Sequence, residues 1–522
     1  MTKLAPRTDS LTRDALAVLQ PGFVGTTAPD WLLRRLDEGL ASVGLFGRNV
    51  SSPEQLAALT ERLRAERDDV LVAIDEEGGD VTRLEVRRGS SFPGNYALGT
   101  VDDPDLTRNV AHELGRRLAA CGVNFNWAPS ADVNSNRDNP VIGVRSFGAH
   151  PELVARHTAA YVEGLQRAGV AACTKHFPGH GDTAVDSHLS MPRIDADPNT
   201  LHKRELGPFR AAIAAGSLAV MSAHILLPAL DPELPATLST RILTGLLREE
   251  LGFQGLIVTD GMEMQAIAST YGIERGSVLA VAAGADAICV GGGLADEDTV
   301  LRLRDALVAA VRAGELPEER LADAAARVRA LADWALRGRG THGPGADTQE
   351  GTAPGAGAPV GLVAARRAVR VTGTAQPLTR APYVAAFTPV ANIAVGDETP
   401  WGPAAELERL LPGTGTGSYS GDRSAERPVD DLVAEVLAAA GDRTVVAVVR
   451  DAHRHRWMAE ALTALLAARP GTFVVEMGLN EAAPAGALHI ATHGAARVCG
   501  RAAAEVITGV SPPGEGPWSG LG

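Results

Sequence analysis

Three of the chain's 13 histidines fall in one short segment beside one of its three lysines. The segment reads Lys175-His176-Phe177-Pro178-Gly179-His180-Gly181-Asp182-Thr183-Ala184-Val185-Asp186-Ser187-His188. Pro178, Gly179 and Gly181 forbid a helix, so these side chains sit on a constrained loop and not on a packed face. So many titratable groups on one loop read as a site, against the alternative of a solvated turn. Asp186 and His188 form an acid–imidazole pair two residues apart. A carboxylate beside an imidazole fixes its tautomer and raises its pKa, which makes His188 a proton donor near neutral pH. A zinc site built from His176, His180 and His188 with Asp182 or Asp186 is the competing chemistry. His-x3-His ligates a metal mostly from a helix, however, and Pro178-Gly179 breaks any helix here. No metal or cofactor is therefore assigned.

Other polar groups stand at the ends of apolar runs. Ile257-Val258-Thr259-Asp260-Gly261-Met262 delivers a carboxylate out of a buried run into a glycine. Asp260 there is a nucleophile, a metal ligand or a helix cap. Asp75-Glu76-Glu77-Gly78-Gly79-Asp80, followed by Arg83, crowds acids near a guanidinium. That suits hydrogen bonding to several hydroxyls of a polar ligand, or else a solvated turn. Arg145, within Asn139-Pro140-Val141-Ile142-Gly143-Val144-Arg145-Ser146-Phe147-Gly148, is a candidate anion or carbonyl clamp, or a surface ion pair. The cluster Asp451-Ala452-His453-Arg454-His455 reads as a solvated helix start.

The elements that must position these groups alternate. Short apolar runs occur at Phe23–Thr26, Ser42–Phe46, Val70–Asp75, Val123–Ala128, Val170–Lys175, Ala219–Ala223, Leu256–Asp260 and Ala285–Val290. Continuous apolar runs of this length are strands buried on both faces. Between them lie amphipathic helices, among them Asp105–Ala120, Pro151–Ala168, Thr200–Ala215, Thr240–Leu251 and Asp298–Ala313. Ser52-Pro53-Glu54 opens another, with Ser as N-cap and Pro at the first position. Eight β/α units predict an N-terminal (β/α)8 TIM barrel over residues 1–336, with a doubly wound sheet as the alternative. In a barrel the strand C-terminal ends carry the chemistry, which is where the polar groups above fall. Residues 337–359 are Gly/Pro/Thr/Ala-rich without period and read as a flexible linker. Residues 360–522 again alternate strand-like and helical runs, predicting a smaller C-terminal α/β sandwich domain.

Composition limits the partner. Lys+Arg number 49 against 63 Asp+Glu, giving a net charge of -14, and hydrophobic residues make up 45%. The balance argues for a globular chain with no nucleic-acid or anionic-membrane surface, since both need a cationic footprint. The four cysteines, Cys121, Cys173, Cys289 and Cys499, are scattered and read as reduced, buried thiols. The first residues hold no apolar signal-peptide core and no run is long enough to span a membrane, so a cytoplasmic protein is expected.

Together these segments resemble glycoside hydrolase family 3, in its β-N-acetylhexosaminidase branch. The resemblance covers about residues 20–335. Gly44-Leu45-Phe46-Gly47-Arg48-Asn49, Ile74–Gly79 and Asn139–Gly148 are similar to family segments in the family's order. The string Lys175-His-Phe-Pro-Gly-His-Gly-x4-Asp186-Ser-His188 is long and specific. The resemblance implies that Asp260 is the nucleophile and that His188, oriented by Asp186, is the acid/base. It implies that Asp75, Arg83, Arg145, Lys175 and His176 hold an N-acetylglucosamine unit. The implied activity is a retaining exo-β-N-acetylglucosaminidase acting on a small saccharide from cell-wall (peptidoglycan) recycling or chitin. An imidazole is neutral once deprotonated, which leaves phosphorolysis as an alternative to hydrolysis; a metal-dependent hydrolase is a further one. Asp80 departs from the family, which commonly has Arg after Glu-Gly-Gly.

Overall fold

The computed structural model describes residues 9–187, 190–338, 359–390, 395, 398–425 and 427–510. Two compact units emerge. One comprises residues 1–77, 107–142 and 149–351; the other comprises 78–106, 143–148 and 352–522.

The first unit is an α/β fold around eight parallel strands. They are β1 (Leu19–Pro21), β2 (Ser42–Leu45), β3 (Leu71–Ile74), β4 (Phe125–Asn126), β5 (Ala171–Phe177), β6 (Ala219–Ser222), β7 (Leu256–Thr259) and β8 (Ile288–Val290). Strands β2 to β7 pair in chain order as one sheet, and β1 pairs with β8. The sheet curls toward that pair: Val258 bridges Ala287 in parallel, and the Met262 amide donates to the Cys289 carbonyl at 3.0 Å. Between β1 and β2 the Ser42 hydroxyl reaches the Leu19 carbonyl at 3.5 Å. Every residue of these strands is buried, as sequential parallel pairing between helical layers requires.

Seven of the eight expected runs coincide with strands. The exception is the first, where the strand is Leu19–Pro21 and not Phe23–Thr26. Gln20 interrupts the apolar pattern although it is fully buried, while Val24 in the expected run is 71% exposed. Ser52 caps the helix Pro53–Glu66 as expected, accepting from the Gln55 amide at 3.2 Å. The helix expected over Thr200–Ala215 is broken into a wide π turn, Leu201–Glu205, and the helix Leu206–Ala214.

At the strands' N-terminal end a buried carboxylate ties β7 to β8. Asp286 accepts from the Ile257 amide at 2.8 Å and from Arg320 at 2.6 Å, and pairs with Arg248. In a parallel α/β fold that end reads as stability and the opposite end as chemistry.

The second unit holds β9 (Arg370–Gly373), β10 (Tyr383–Thr388), β11 (Gly415–Ser420), β12 (Val445–Val449), β13 (Phe473–Glu476) and β14 (Leu488–Ala491). Their order is β11-β10-β12-β13-β14-β9, parallel except for β9. One face packs Leu362, Leu407, Val498 and Ile507; the other packs Leu432, Val436, Met458 and Leu465. This is helix–sheet–helix layering. The helix Glu318–Gly338 takes in the first two residues of the expected linker. Residues 339–358 lie outside the described residues.

Candidate active site

The segment that follows β3 is not a solvated turn. Glu76 and Glu77 are buried, and Lys175, at 2% exposure, reaches Asp75 Oδ1 at 2.5 Å and Glu77 Oε1 at 2.7 Å. A buried ammonium needs such partners to stay charged. Tyr161 donates to the Glu77 carbonyl at 3.1 Å and fixes the strand exit from below. Neighbouring strands bring these groups together: Asp75 leaves β3 and Lys175 lies on β5, with β4 between them.

His176 and His180 converge on Asp132, a residue the sequence did not single out. Asp132 is fully buried, and its carboxylate accepts from several described donors. The His176 amide donates at 3.2 Å, the His180 amide at 2.7 Å, the Ser130 hydroxyl at 2.9 Å, and His176 Nδ1 at 2.7 Å. Burial alone would raise the Asp132 pKa; the His176 ring and the amide donors outweigh it and hold the carboxyl well below the ordinary range. The available signal was a lone carboxylate in Ser130-Ala131-Asp132-Val133 just past the fourth strand.

The loop after β5 is pinned along its length. Asn139 Nδ2 donates to the His180 carbonyl at 2.9 Å, and the Asn136 amide to the Gly181 carbonyl at 3.3 Å. His180 meets Thr183 Oγ1 at 2.9 Å and Ser187 Oγ at 3.2 Å, so both ring nitrogens are engaged. Burial and the neighbouring His176 push the His180 pKa down to about 4, so it is neutral at physiological pH. Asp186 is buried, and the Ala266 amide donates to the Ser187 carbonyl at 3.4 Å. His188, the expected acid/base, lies outside the described residues. Among the described residues no group of three His, Cys, Asp or Glu is arranged to hold a metal ion.

Asp260 stands at the end of β7, partly exposed. Its amide donates to the Ser222 carbonyl at 3.2 Å and its Oδ1 accepts from the Gly261 amide at 2.8 Å. The next helix begins at Gln265, so Asp260 is not its cap. Buried His224 buttresses the turn: Nε2 donates to the Gly261 carbonyl at 3.0 Å, while Nδ1 meets Thr237 Oγ1 at 2.9 Å. The charges of Lys175, Asp75 and Asp260 all act on the buried Cys173 thiol, whose pKa burial raises. His180 also feels Asp260. The strand ends of the first unit thus carry a carboxylate at β7, an ion-paired carboxylate–ammonium cluster at β3 and β5, and a histidine loop.

Arg83 and Arg145 fall in the second unit, in residues 78–106 and 143–148. The Arg145 carbonyl accepts from buried Asn95 Nδ2 at 2.7 Å. Asp80, the departure from the family pattern, has a partner set of its own. It pairs with Arg450 and accepts from the Ala495 amide at 2.9 Å. The cluster 451–455 does stand at the start of the helix Arg456–Ala468, partly exposed; within it the Asp451 amide donates to buried Glu476 at 2.9 Å and its Oδ1 accepts from the Leu479 amide at 2.7 Å.

A family model described as "Glycosyl hydrolase family 3 N terminal domain" matches residues 29–331. The chain belongs to glycoside hydrolase family 3. The chain is similar to Beta-hexosaminidase A of Pseudoalteromonas piscicida, 36% identical over 324 residues, which are 58% of this chain and 54% of that one. The chain thus spans about half the length of that relative. Beta-hexosaminidase of Alkalilimnicola ehrlichii is 39% identical over 257 residues, 48% of this chain and 73% of that one. Among solved structures, a glycoside hydrolase family 3 beta-N-acetylglucosaminidase from Paenibacillus sp. str. FPU-7 is 34% identical with a TM-score of 0.82. That match covers 96% of this chain and 97% of the other. No described helix is long and apolar enough to cross a membrane.

Proposed function

We propose that this family 3 chain is a retaining exo-β-N-acetylglucosaminidase that removes terminal β-linked N-acetylglucosamine from small saccharides of cell-wall or chitin origin. The observation that carries the reading is the carboxylate Asp260 at a strand end, in a fold whose strand ends also bear the Asp75–Lys175 pair and the histidine loop. Relatives named β-hexosaminidase and β-N-acetylglucosaminidase supply the substrate class. In this reading residues 1–336 form the catalytic domain, a closed eight-stranded barrel, and residues 360–522 form an accessory α/β domain.

Asp260 attacks the anomeric carbon while His188 gives its proton to the departing oxygen. A glycosyl ester on Asp260 results. His188, oriented by Asp186, then takes a proton from water, whose oxygen attacks the same carbon and releases Asp260. Two inversions give retention. Asp75, Lys175 and His176, with Arg83 and Arg145, hold the sugar's hydroxyls and N-acetyl group, and positioning of this kind lowers the entropic part of the barrier. The substrate is a small saccharide, and a cytoplasmic setting fits it.

Asp260→Asn is expected to lower turnover of an aryl β-N-acetylglucosaminide at least about a thousandfold, with the melting temperature unchanged. A slow fluorinated substrate should leave its label on a peptide containing Asp260, read by mass spectrometry. A label elsewhere, or a fully active variant, removes the assignment. Added phosphate decides the acceptor: GlcNAc-1-phosphate as product would make the enzyme a phosphorylase, and free sugar alone a hydrolase.

A further inference from the structure

Glu205 is the last residue of the π turn Leu201–Glu205 and is 1% exposed. Its Oε1 accepts from Arg204 Nε at 2.6 Å, while its buried Oε2 has no hydrogen-bond partner. The carboxyl lies directly against the histidine loop. A Cβ added at Gly179, whose φ is +130°, would stand 2.5 Å from Glu205 Oε2 and 2.8 Å from its Cβ. The same Arg204 donates through its other nitrogen to Asp182 Oδ2 at 2.6 Å. A carboxylate–guanidinium–carboxylate chain therefore runs from beneath Gly179 to Asp182. Two points of the loop, three residues apart, are tied to the turn before the helix Leu206–Ala214. Asn136 and Asn139 hold the Thr183 and His180 carbonyls of the same loop. A buried, incompletely satisfied carboxylate is costly for a fold to keep, and such cost is met where it serves geometry.

We propose that Glu205, acting through Arg204, is a positioning residue for the acid/base loop: the pair sets the backbone of Gly179–Asp182, from which the segment Asp186–His188 continues. The inference rests on the reading of His188 as the acid/base. Glu205 meets Gly179 and Arg204, and in this proposal its main contribution is to protonation of the leaving oxygen. A departing group that needs no proton escapes the effect; a sugar alkoxide does not.

The test uses the full chain and kcat/KM, which reports formation of the glycosyl ester. Two substrates are compared, diacetylchitobiose and the 2,4-dinitrophenyl β-N-acetylglucosaminide. Glu205→Gln, near-isosteric and neutral, is expected to lose on the order of ten- to a hundredfold on chitobiose. The dinitrophenyl substrate should lose less than about threefold. Asp182→Asn, at a partly exposed position, should show the same selective loss, and the double variant should be no worse than Glu205→Gln alone, because both act through one guanidinium. Equal losses on the two substrates, no loss, or additive losses would overturn the proposal. His188→Gln is the control. If it lacks the leaving-group dependence, the acid/base reading falls and this inference with it. If it shows the dependence and Glu205→Gln does not, only this inference falls.

Discussion

At the scale of single residues, the histidine loop places groups with opposite pH demands within one fold. His180 is buried neutral, its pKa brought from the ordinary 6.5 to about 4 by burial and by His176. A depressed value means that its contribution to stability is whole above 6.5 and is lost as pH falls through about 4. Asp132, also depressed through His176 and its amide donors, acts in the same direction at still lower pH. Glu205 does the reverse. Burial, helped by Asp132 and Asp182 and opposed by Arg204, brings it from 4.5 up to about 7. A raised value means stability that is whole below 4.5 and lost as pH rises through about 7. The melting temperature of Glu205→Gln minus that of the wild type should therefore climb by several degrees between pH 5 and pH 8. His180→Asn should blunt the wild-type loss between pH 6.5 and pH 4. Calorimetry across that range checks both, and pH-independent differences would contradict the burial argument.

At the scale of elements, the loop after β5 works because it is pressed onto its neighbours. Gly181 is the tightest point: a Cβ there would collide with the Val133 carbonyl and come within 3.0 Å of the Asn134 amide. Gly181→Ala must push the loop off the segment that carries Asp132. It should destabilise the fold by about 1–3 kcal/mol, as overpacking does, and lower kcat/KM by at least about tenfold. An alanine variant with unchanged melting temperature and activity would show that the loop tolerates lifting. Much at this scale was legible in the sequence. Buried parallel strands are continuous apolar runs, and Pro178, Gly179 and Gly181 announced the loop. What stayed hidden was non-local or masked by one residue. Gln20 disguised the first strand. The π turn at Leu201–Glu205 has no periodicity of its own. Asp132 and Glu205 gain meaning only from partners about 45 and 25 positions away, His176 and Gly179, which no local pattern encodes.

At the scale of the whole chain, the two compact units are interleaved in sequence. Residues 78–106 leave β3 and are built into the second unit by many contacts. Asp80 pairs with Arg450 and accepts from the Ala495 amide; Ser90 takes the Val498 amide at 3.4 Å; Asp103 pairs with Arg367 at 2.7 Å. Gly361 packs so closely on the Ser91 carbonyl that a side chain there would clash. The apolar helix Asn95–Val101 packs on the helix Val360–Ala368, and Asn95 in turn holds the Arg145 carbonyl. Arg83 and Arg145, both proposed to hold sugar, thus depend for their backbone on residues that follow position 359. A chain ending at 338 would strip buried Asp80 of its guanidinium and expose the apolar face of Asn95–Val101. Losing these ion pairs and exposing that apolar face removes a large share of the few kcal/mol by which a domain is stable. Such a truncation is expected to give little soluble protein, and what remains should show kcat/KM lowered at least about a hundredfold. Coexpressing residues 339–522 should restore part of it. A soluble, fully active 1–338 chain would mean that residues 78–106 fold without their partners and that the second unit is dispensable for catalysis.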